Sequence, residues 1–326
     1  MKPVTSLSLC ARVTLDLHNL NNEGTEGNQQ QTRMVHIIDQ SGQRAVVNAI
    51  SGDMFKHILV EHLVPLLEEA GQALSPGARR LDADRINSFN PGFVEYCEKG
   101  KASESDIMTK MLTDCSLTDM AGALVTRGRS VGRKSVVEFG WVVGLPRDAA
   151  GQALTTTEQY FHVKYAPEGR EKATGGDTVA GKQAIFHRPA SSGVYALICH
   201  LELSRIGLND ITRDYVIGAE DRAARGRALL HALLATLVKP AGAQRNTQNP
   251  HIVGCEGVVA TSGSSLPAPT VSPLHDNYRA EIQGVAAVLN RIHPGAVAVQ
   301  EFSSLSQAAE TLSDVAAGLQ GPAGRG

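Results

Sequence analysis

Residues 6–20 read SLSLCARVTLDLHNL. Leu7, Leu9, Ala11, Val13, Leu15 and Leu17 alternate with Ser8, Cys10, Arg12, Thr14, Asp16 and His18, the period of two that defines a β-strand. One face of this strand is apolar and belongs against a core. The other is largely polar, as in the one-sided sheets of antiparallel or α+β folds. A second long strand is as clear in GVYALICHLELSRIGL, residues 193–208.

Each long strand leads, across a polar insertion, to a helix. Residues 51–71, SGDMFKHILVEHLVPLLEEAG, start at Ser51 or Asp53 as cap and carry Phe55, Ile58, Leu59, His62, Leu63, Leu66 and Leu67 on one face. Pro65 is expected to kink or end an early section of it. In residues 224–242, Leu229, Leu230, Leu233, Leu234 and Leu237 line one face, Lys239 complements the negative end and Pro240 stops the helix. Two strand–helix units of this kind predict an α+β core of the ferredoxin or RNA-recognition type, with the insertions as appended lobes. MVHII (34–38), RAVVNAI (44–50) and SVVEFGWVVGL (135–145) add shorter strand candidates, and helices are expected at about 278–292 and 305–317.

The 326 residues suffice for a full core, and a net charge of −2 excludes a globally basic nucleic-acid binder. Any polyanion contact must therefore be local. The richest segment is TRGRSVGRKSVV (126–137), with Arg127, Arg129, Arg133 and Lys134 and no acid. Guanidinium forks beside glycine backbone suit phosphate oxygens, and a solvated basic loop has the same composition. KPAGAQRNTQNPH (239–251) offers Gln244, Arg245, Asn246, Gln248, Asn249 and His251, a set that equally fits an ordinary turn. Five scattered cysteines have no metal-site spacing and read as buried thiols of a reducing compartment. The opening residues alternate and no run approaches a membrane span, so a cytoplasmic chain with no membrane partner is expected. No HExxH or CxxC motif is present, so no catalytic residue, metal ligand or cofactor is assigned.

Five stretches in order are similar to a known family: ARVTLDLHNLNNEGTEGNQQQTR (11–33), AISGDMFKHIL (49–59), GRSVGRKSVVEFGWVVG (128–144), KQAIFHRPASSGVYAL (182–197) and KPAGAQRNTQNPH. Together they resemble the repeated backbone subunit of type I CRISPR surveillance (Cascade) complexes, in its DevR-like autoregulator group. The resemblance spans roughly residues 5–260. It implies a palm with a modified RNA-recognition-motif, ferredoxin-like fold, a helical finger-like insertion and a thumb-like arm. On this chain the parts map as palm 1–59, helical insertion 60–120, palm or web 121–154, arm 155–190, second palm part 191–260, and a linker with C-terminal helices over 261–326.

The resemblance also implies copies stacked along one CRISPR RNA, whose exposed bases pair with the complementary strand of invading DNA, together with other Cascade subunits. The polar stretch 21–33 would then be an RNA cradle that reads backbone rather than base. Carried over residue by residue, the RNA contacts fall on Asn21, Asn22, Asn28 and Arg33, on Lys56 and His57, and on Arg129, Arg133 and Lys134. Gln183 and His187 at the base of the arm and Gln244, Arg245 and Asn246 complete the set. Arg133-Lys134-Ser135 is one residue short of the family's usual pattern, and the turn at 244–246 is less basic than in relatives. The family implies no nuclease role. Alternatives are a type III-like subunit that cleaves target RNA, for which stretch 21–33 offers Glu23 and Glu26 but no aspartate, a transcriptional autoregulator, and a metabolic enzyme on the same core.

Overall fold

The computed structural model describes residues 4–99, 101–126, 128–148, 150–164, 184–242 and 246–319. Gln183, Gln244 and Arg245, and most of the expected arm, lie outside them.

The chain begins with β1 (Ser6–His18), followed by the hairpin β2 (Asn22–Glu26) and β3 (Gln29–Thr32), and then β4 (Met34–Ile38) and β5 (Arg44–Ile50). Helix α1 (Gly52–Glu69) is followed by α2 (Pro76–Arg79), α3 (Pro91–Lys99), α4 (Glu104–Asp114) and α5 (Ser116–Ala121). Short strands β6 (Ala123–Val125), β7 (Val131–Arg133), β8 (Val137–Phe139) and β9 (Val142–Gly144) lead to the long pair β10 (Thr155–Lys164) and β11 (Ala184–Leu201). Last come α6 (Ala219–Val238), β12 (His251–Ser262), α7 (Tyr278–Ile292), β13 (Val297–Phe302) and α8 (Leu305–Gly318).

Eleven of the strands form one sheet in the order β13-β12-β1-β11-β9-β5-β4, with β10 and β8 also on β11 and the β2–β3 hairpin joined at its edge. Among the described residues all pairings are antiparallel except a single parallel contact between His187 and Gln29. β1 is therefore central, flanked by β11 and β12 over nearly its whole length. Leu7, Leu9, Ala11, Val13 and Leu15 face one core with Leu59, Leu63, Leu229, Leu233 and Leu312 of α1, α6 and α8. Ser51 caps α1 by accepting from the Met54 amide at 3.2 Å, and Asp53 lies in the first turn. Pro65 does not break α1; it sits on the exposed side, where the carbonyl it leaves without a donor can reach water.

Three features differ from the sequence expectation. The stretch 21–33 is a β-hairpin, not a loop, because Asn22–Glu26 and Gln29–Thr32 turn at Gly27, φ +61°. The helical insertion is no appended lobe: Ile86, Phe93, Ile107, Met111 and Leu117 belong to the same apolar cluster as β1 and α6. The second face of the sheet is covered as well. Ser8 Oγ donates to Ala268 O at 3.1 Å, the Ala268 amide donates to Ser6 Oγ at 3.1 Å, and Arg12 Nε donates to Pro273 O at 2.9 Å. Cys10, Val258 and Ala260 pack there against Ala268, Tyr278 and Ile282. The chain between β12 and α7, rich in Ser and Pro, is thus a strap across its own sheet, held by small polar residues that bring two backbones close.

All five cysteines are buried and unpaired. Among the described residues no helix is long and apolar enough to cross a membrane.

Candidate nucleic-acid interface

β1 ends in a bulge between Leu15 and His18, where Leu17 takes φ +53° and is 47 % exposed. A branched residue in left-handed backbone is strained, and such bulges re-aim the side chains that follow. Here they sink His18 and Asn19, each 1 % exposed, beneath the root of the β2–β3 hairpin. His18 lies edge-on to Tyr195 at 5.0 Å, and with no charge partner burial holds its imidazole down at about 4.

The hairpin is tied to the main sheet by a chain of bonds. Tyr195 Oη donates to Asn48 Oδ1 at 2.9 Å, Asn48 Nδ2 donates to Arg33 O at 3.0 Å, and Thr32 Oγ1 donates to Asn21 O at 2.9 Å. The Ser51 amide donates to Asn21 Oδ1 at 2.8 Å, which joins the hairpin root to the start of α1. Asn21 is 5 % exposed and its carboxamide oxygen is spent on this bond. It positions the hairpin and does not present a contact to solvent, a correction to its assignment as a backbone reader.

Among the described residues, several buried polar atoms around this root have no partner: His18 Nε2, both carboxamide atoms of Asn19, Asn22 Oδ1 and Gln248 Oε1. Gln248 Nε2 donates to Pro189 O at 2.9 Å, two residues from Ser191, which pairs with His18 across the strands. Gly242, just after α6, comes to the same place, since a Cβ there would lie 2.5 Å from the Leu20 side chain. Each unsatisfied buried polar group costs about 1–3 kcal/mol. They gather where β1, β11 and residues 246–250 meet, and groups of this kind are met by ordered water or a polar ligand.

On the outer side, Arg33 pairs with Glu23 and its guanidinium stands 5.1 Å from the centre of the Trp141 ring. Trp141 lies in the β8–β9 turn. That turn abuts the first residue of α1, where a Cβ on Gly52 would meet Phe139 O at 2.7 Å. Lys56, one turn into α1, has its amine pulled below the ordinary range by burial and by the nearby Arg85. His57 points to solvent and reaches Glu61 at 3.1 Å.

The basic segment divides. Arg129 is exposed, and Lys134 is exposed and pairs with Glu138 at 2.6 Å. Arg133 is 3 % exposed. Its guanidinium donates to Asp119 Oδ1 and Asp210 Oδ2, both at 2.8 Å, and to the carbonyls of Asp119, Leu208 and Arg205. With every donor direction used inside the protein it cannot meet a polyanion, which corrects the sequence assignment. Alternation along β7 faces Val131 and Arg133 inward and Gly132 and Lys134 outward.

β10 and β11 pair from Thr155 to Lys164. The His187 amide donates to Asn28 O at 2.9 Å, and its ring packs on Phe161 at 4.4 Å. Asn28, Arg33 and His187 are thus brought to one edge. Asn246 is exposed on the neighbouring loop, where Thr247 accepts from Arg188 at 3.2 Å. His18, Asn19, Trp141 and the partnered Asn48 escaped sequence reasoning. The signals available were the lone tryptophan between glycine-flanked strands and the end of the strict alternation at His18.

A model of the family described as CRISPR-associated negative auto-regulator DevR/Csa2 matches residues 9–283. No curated protein matches the chain. Among solved structures, one similar chain comes from a "CRISPR RNA-guided surveillance complex, pre-nicking", with TM-score 0.47, 16 % identity and 90 % of each chain covered. Another comes from a "CRISPR RNA-guided surveillance complex", with TM-score 0.48, 12 % identity, and 95 % of this chain and 99 % of that one covered.

Proposed function

The chain belongs to the CRISPR-associated negative auto-regulator DevR/Csa2 family, and from that premise we propose that it is a CRISPR RNA-binding backbone subunit. Copies line up along one guide RNA inside a type I surveillance complex with other Cascade subunits, and hold the guide for pairing with the complementary strand of invading DNA. The subunit is a cytoplasmic scaffold and performs no catalysis.

The observation that carries this reading is the polar β2–β3 hairpin, which brings Asn28, Arg33 and His187 to one edge and is bonded at its root to the start of α1. Amides and an imidazole suit phosphate oxygens and 2′-hydroxyls without choosing a base, as a scaffold for variable guides requires. The sheet supports a ferredoxin-like palm: β12-β1-β11-β9 is the 4-1-3-2 order of that fold, with α1 and α6 as its two crossover helices. The sheet face that such folds leave open for RNA is closed here by the strap. RNA is therefore assigned to the hairpin, the start of α1 and the loops beside them. Arg129, Lys134 and Asn246 add exposed polar reach, and Arg133 and Asn21 are left to structure.

The test is to purify the full chain, extract any bound nucleic acid, and digest it with RNase or DNase. Mixing with a defined CRISPR RNA and size exclusion should give regularly spaced protein–RNA species. A monomer that ignores RNA at low salt, with and without partner subunits, refutes the proposal.

A further inference from the structure

Trp141 is the only tryptophan of the chain, and it is spent on a surface turn where it stays 46 % exposed. Packing does not explain that position, because its strand neighbour Val142 is fully buried while the indole stands outside. Three neighbours define its setting. Arg33 stacks over the ring, Glu23 of the β2–β3 hairpin pairs with the same Arg33, and the start of α1 sits directly under the turn. Arg33 is itself fixed from behind, since its carbonyl accepts from Asn48 Nδ2 and from the Ala49 amide, both at 3.0 Å.

We propose that Trp141 and Arg33 form a nucleotide clamp in which one base of single-stranded RNA stacks on the indole while the adjoining phosphate displaces Glu23 from Arg33. This rests on the RNA-binding reading above and specifies where in that interface a base, rather than backbone alone, is held. An aromatic face accepts any base, so the clamp adds affinity without sequence choice. Glu23 occupies the guanidinium in the free protein and keeps it oriented. A phosphate offers two oxygens to the same fork, where Glu23 uses only Nε, so it takes the guanidinium when RNA arrives and returns it to Glu23 when RNA leaves. A cation over the ring also enriches the stacking site electrostatically.

The alternative occupant of an exposed indole is an apolar partner surface, and the surroundings argue against it. The patch is shared with an ion pair and lies one helical turn from Lys56, a pattern that suits an anionic, aromatic ligand.

A single tryptophan makes the test direct. Intrinsic fluorescence of the full chain is titrated with oligo(A) RNA and, separately, with inorganic polyphosphate, while binding is followed independently by anisotropy of labelled oligo(A). The expected result is quenching that saturates together with anisotropy for RNA and is absent for polyphosphate. Trp141→Ala should weaken oligo(A) binding by about tenfold or more, Trp141→Phe should retain most of it, and Glu23→Gln should tighten it. RNA binding by anisotropy with unchanged fluorescence and a wild-type Trp141→Ala affinity overturns the clamp and leaves the RNA-binding reading standing. Equal quenching by polyphosphate also overturns it, by showing a site for charge alone. No anisotropy change for the wild-type chain removes the RNA reading and the clamp together.

Discussion

Arg133 Nη2 lies 2.8 Å from Asp119 Oδ1, and neither side chain has any exposure. The other carboxylate oxygen of Asp119 accepts from Arg225 at 2.8 Å and from the Gly207 amide at 2.9 Å. Asp119 belongs to α5 and Arg225 to α6, so one buried carboxylate joins two helices far apart in the chain. Burial of three charges is tolerable only because every lone pair and nearly every donor is matched.

Removing one partner leaves the others buried and uncompensated. Arg133→Ala and Asp119→Ala should each destabilise the fold by about 3–5 kcal/mol, read as lost soluble yield or a large drop in Tm. Arg129→Ala and Lys134→Ala should leave Tm within a degree or two, because both residues are exposed. On RNA these two should instead flatten the salt dependence, each phosphate contact contributing about 0.7 to the logarithmic slope for a single strand. A stable Arg133→Ala protein with a flattened slope would reverse the two assignments.

The strap predicts a local effect. Arg12 donates to Pro273 O and to Asp276, both at 2.9 Å, and that contact, with Gln40, holds the Asp276 carboxyl below the usual carboxylate range. The pair is partly exposed, so Arg12→Ala should cost only about 1 kcal/mol globally. Hydrogen exchange over residues 264–277 should accelerate by more than that of α6. Uniform acceleration would mean that the strap is not a separate unit.

The thiols give a chemical check. Burial pushes Cys10 and Cys255 up to about 11 and raises Cys199 and Cys97 as well. A thiol reagent at mildly alkaline pH should find almost nothing to modify in the folded chain and all five cysteines after denaturation. Rapid modification of one native cysteine would show that its surroundings open.

How far the sequence could be read follows from which forces act locally. β1, α1, α6, α7 and α8 were legible because each carries enough periodic apolar residues to specify its own face. β12 was missed, since Gly254 and Gly257 interrupt its pattern, and its strand character comes from pairing with β1. The β2–β3 hairpin was missed for a related reason: NEGTE and QQQT have no apolar face, and their pairing depends on the turn and on β11. Arg133 looked like a surface cation because its compensating acids, Asp119 and Asp210, lie 14 and 77 residues away in sequence. Arg33, by contrast, is at the surface as its segment suggested, though its partners Glu23 and Trp141 could only be seen in three dimensions.

His18 supplies the pH dependence. Burial lowers its folded value from 6.5 to about 4, so the folded chain holds it neutral where the unfolded chain would bind a proton. The stabilisation is fully present above the unfolded pKa and is lost as pH falls from about 6.5 through about 4, because over that window the unfolded state takes up protons that the folded state refuses. The span corresponds to about 3 kcal/mol at most. Carboxylates also titrate at the lower end, so the informative quantity is the difference between the wild type and His18→Gln, whose uncharged amide removes the titration. Wild-type stability should fall more steeply than that of the variant between pH 6.5 and 4.5, and the two profiles should run parallel above 7. Bound RNA adds a second reading. A phosphate or 2′-hydroxyl reaching His18 Nε2 would pair that atom, and a phosphate would favour the imidazolium, so acid should cost the complex less stability than the free chain. Equal acid sensitivity of the free and RNA-bound chains would place the RNA away from His18 and shift the interface outward, to Arg33 and the start of α1.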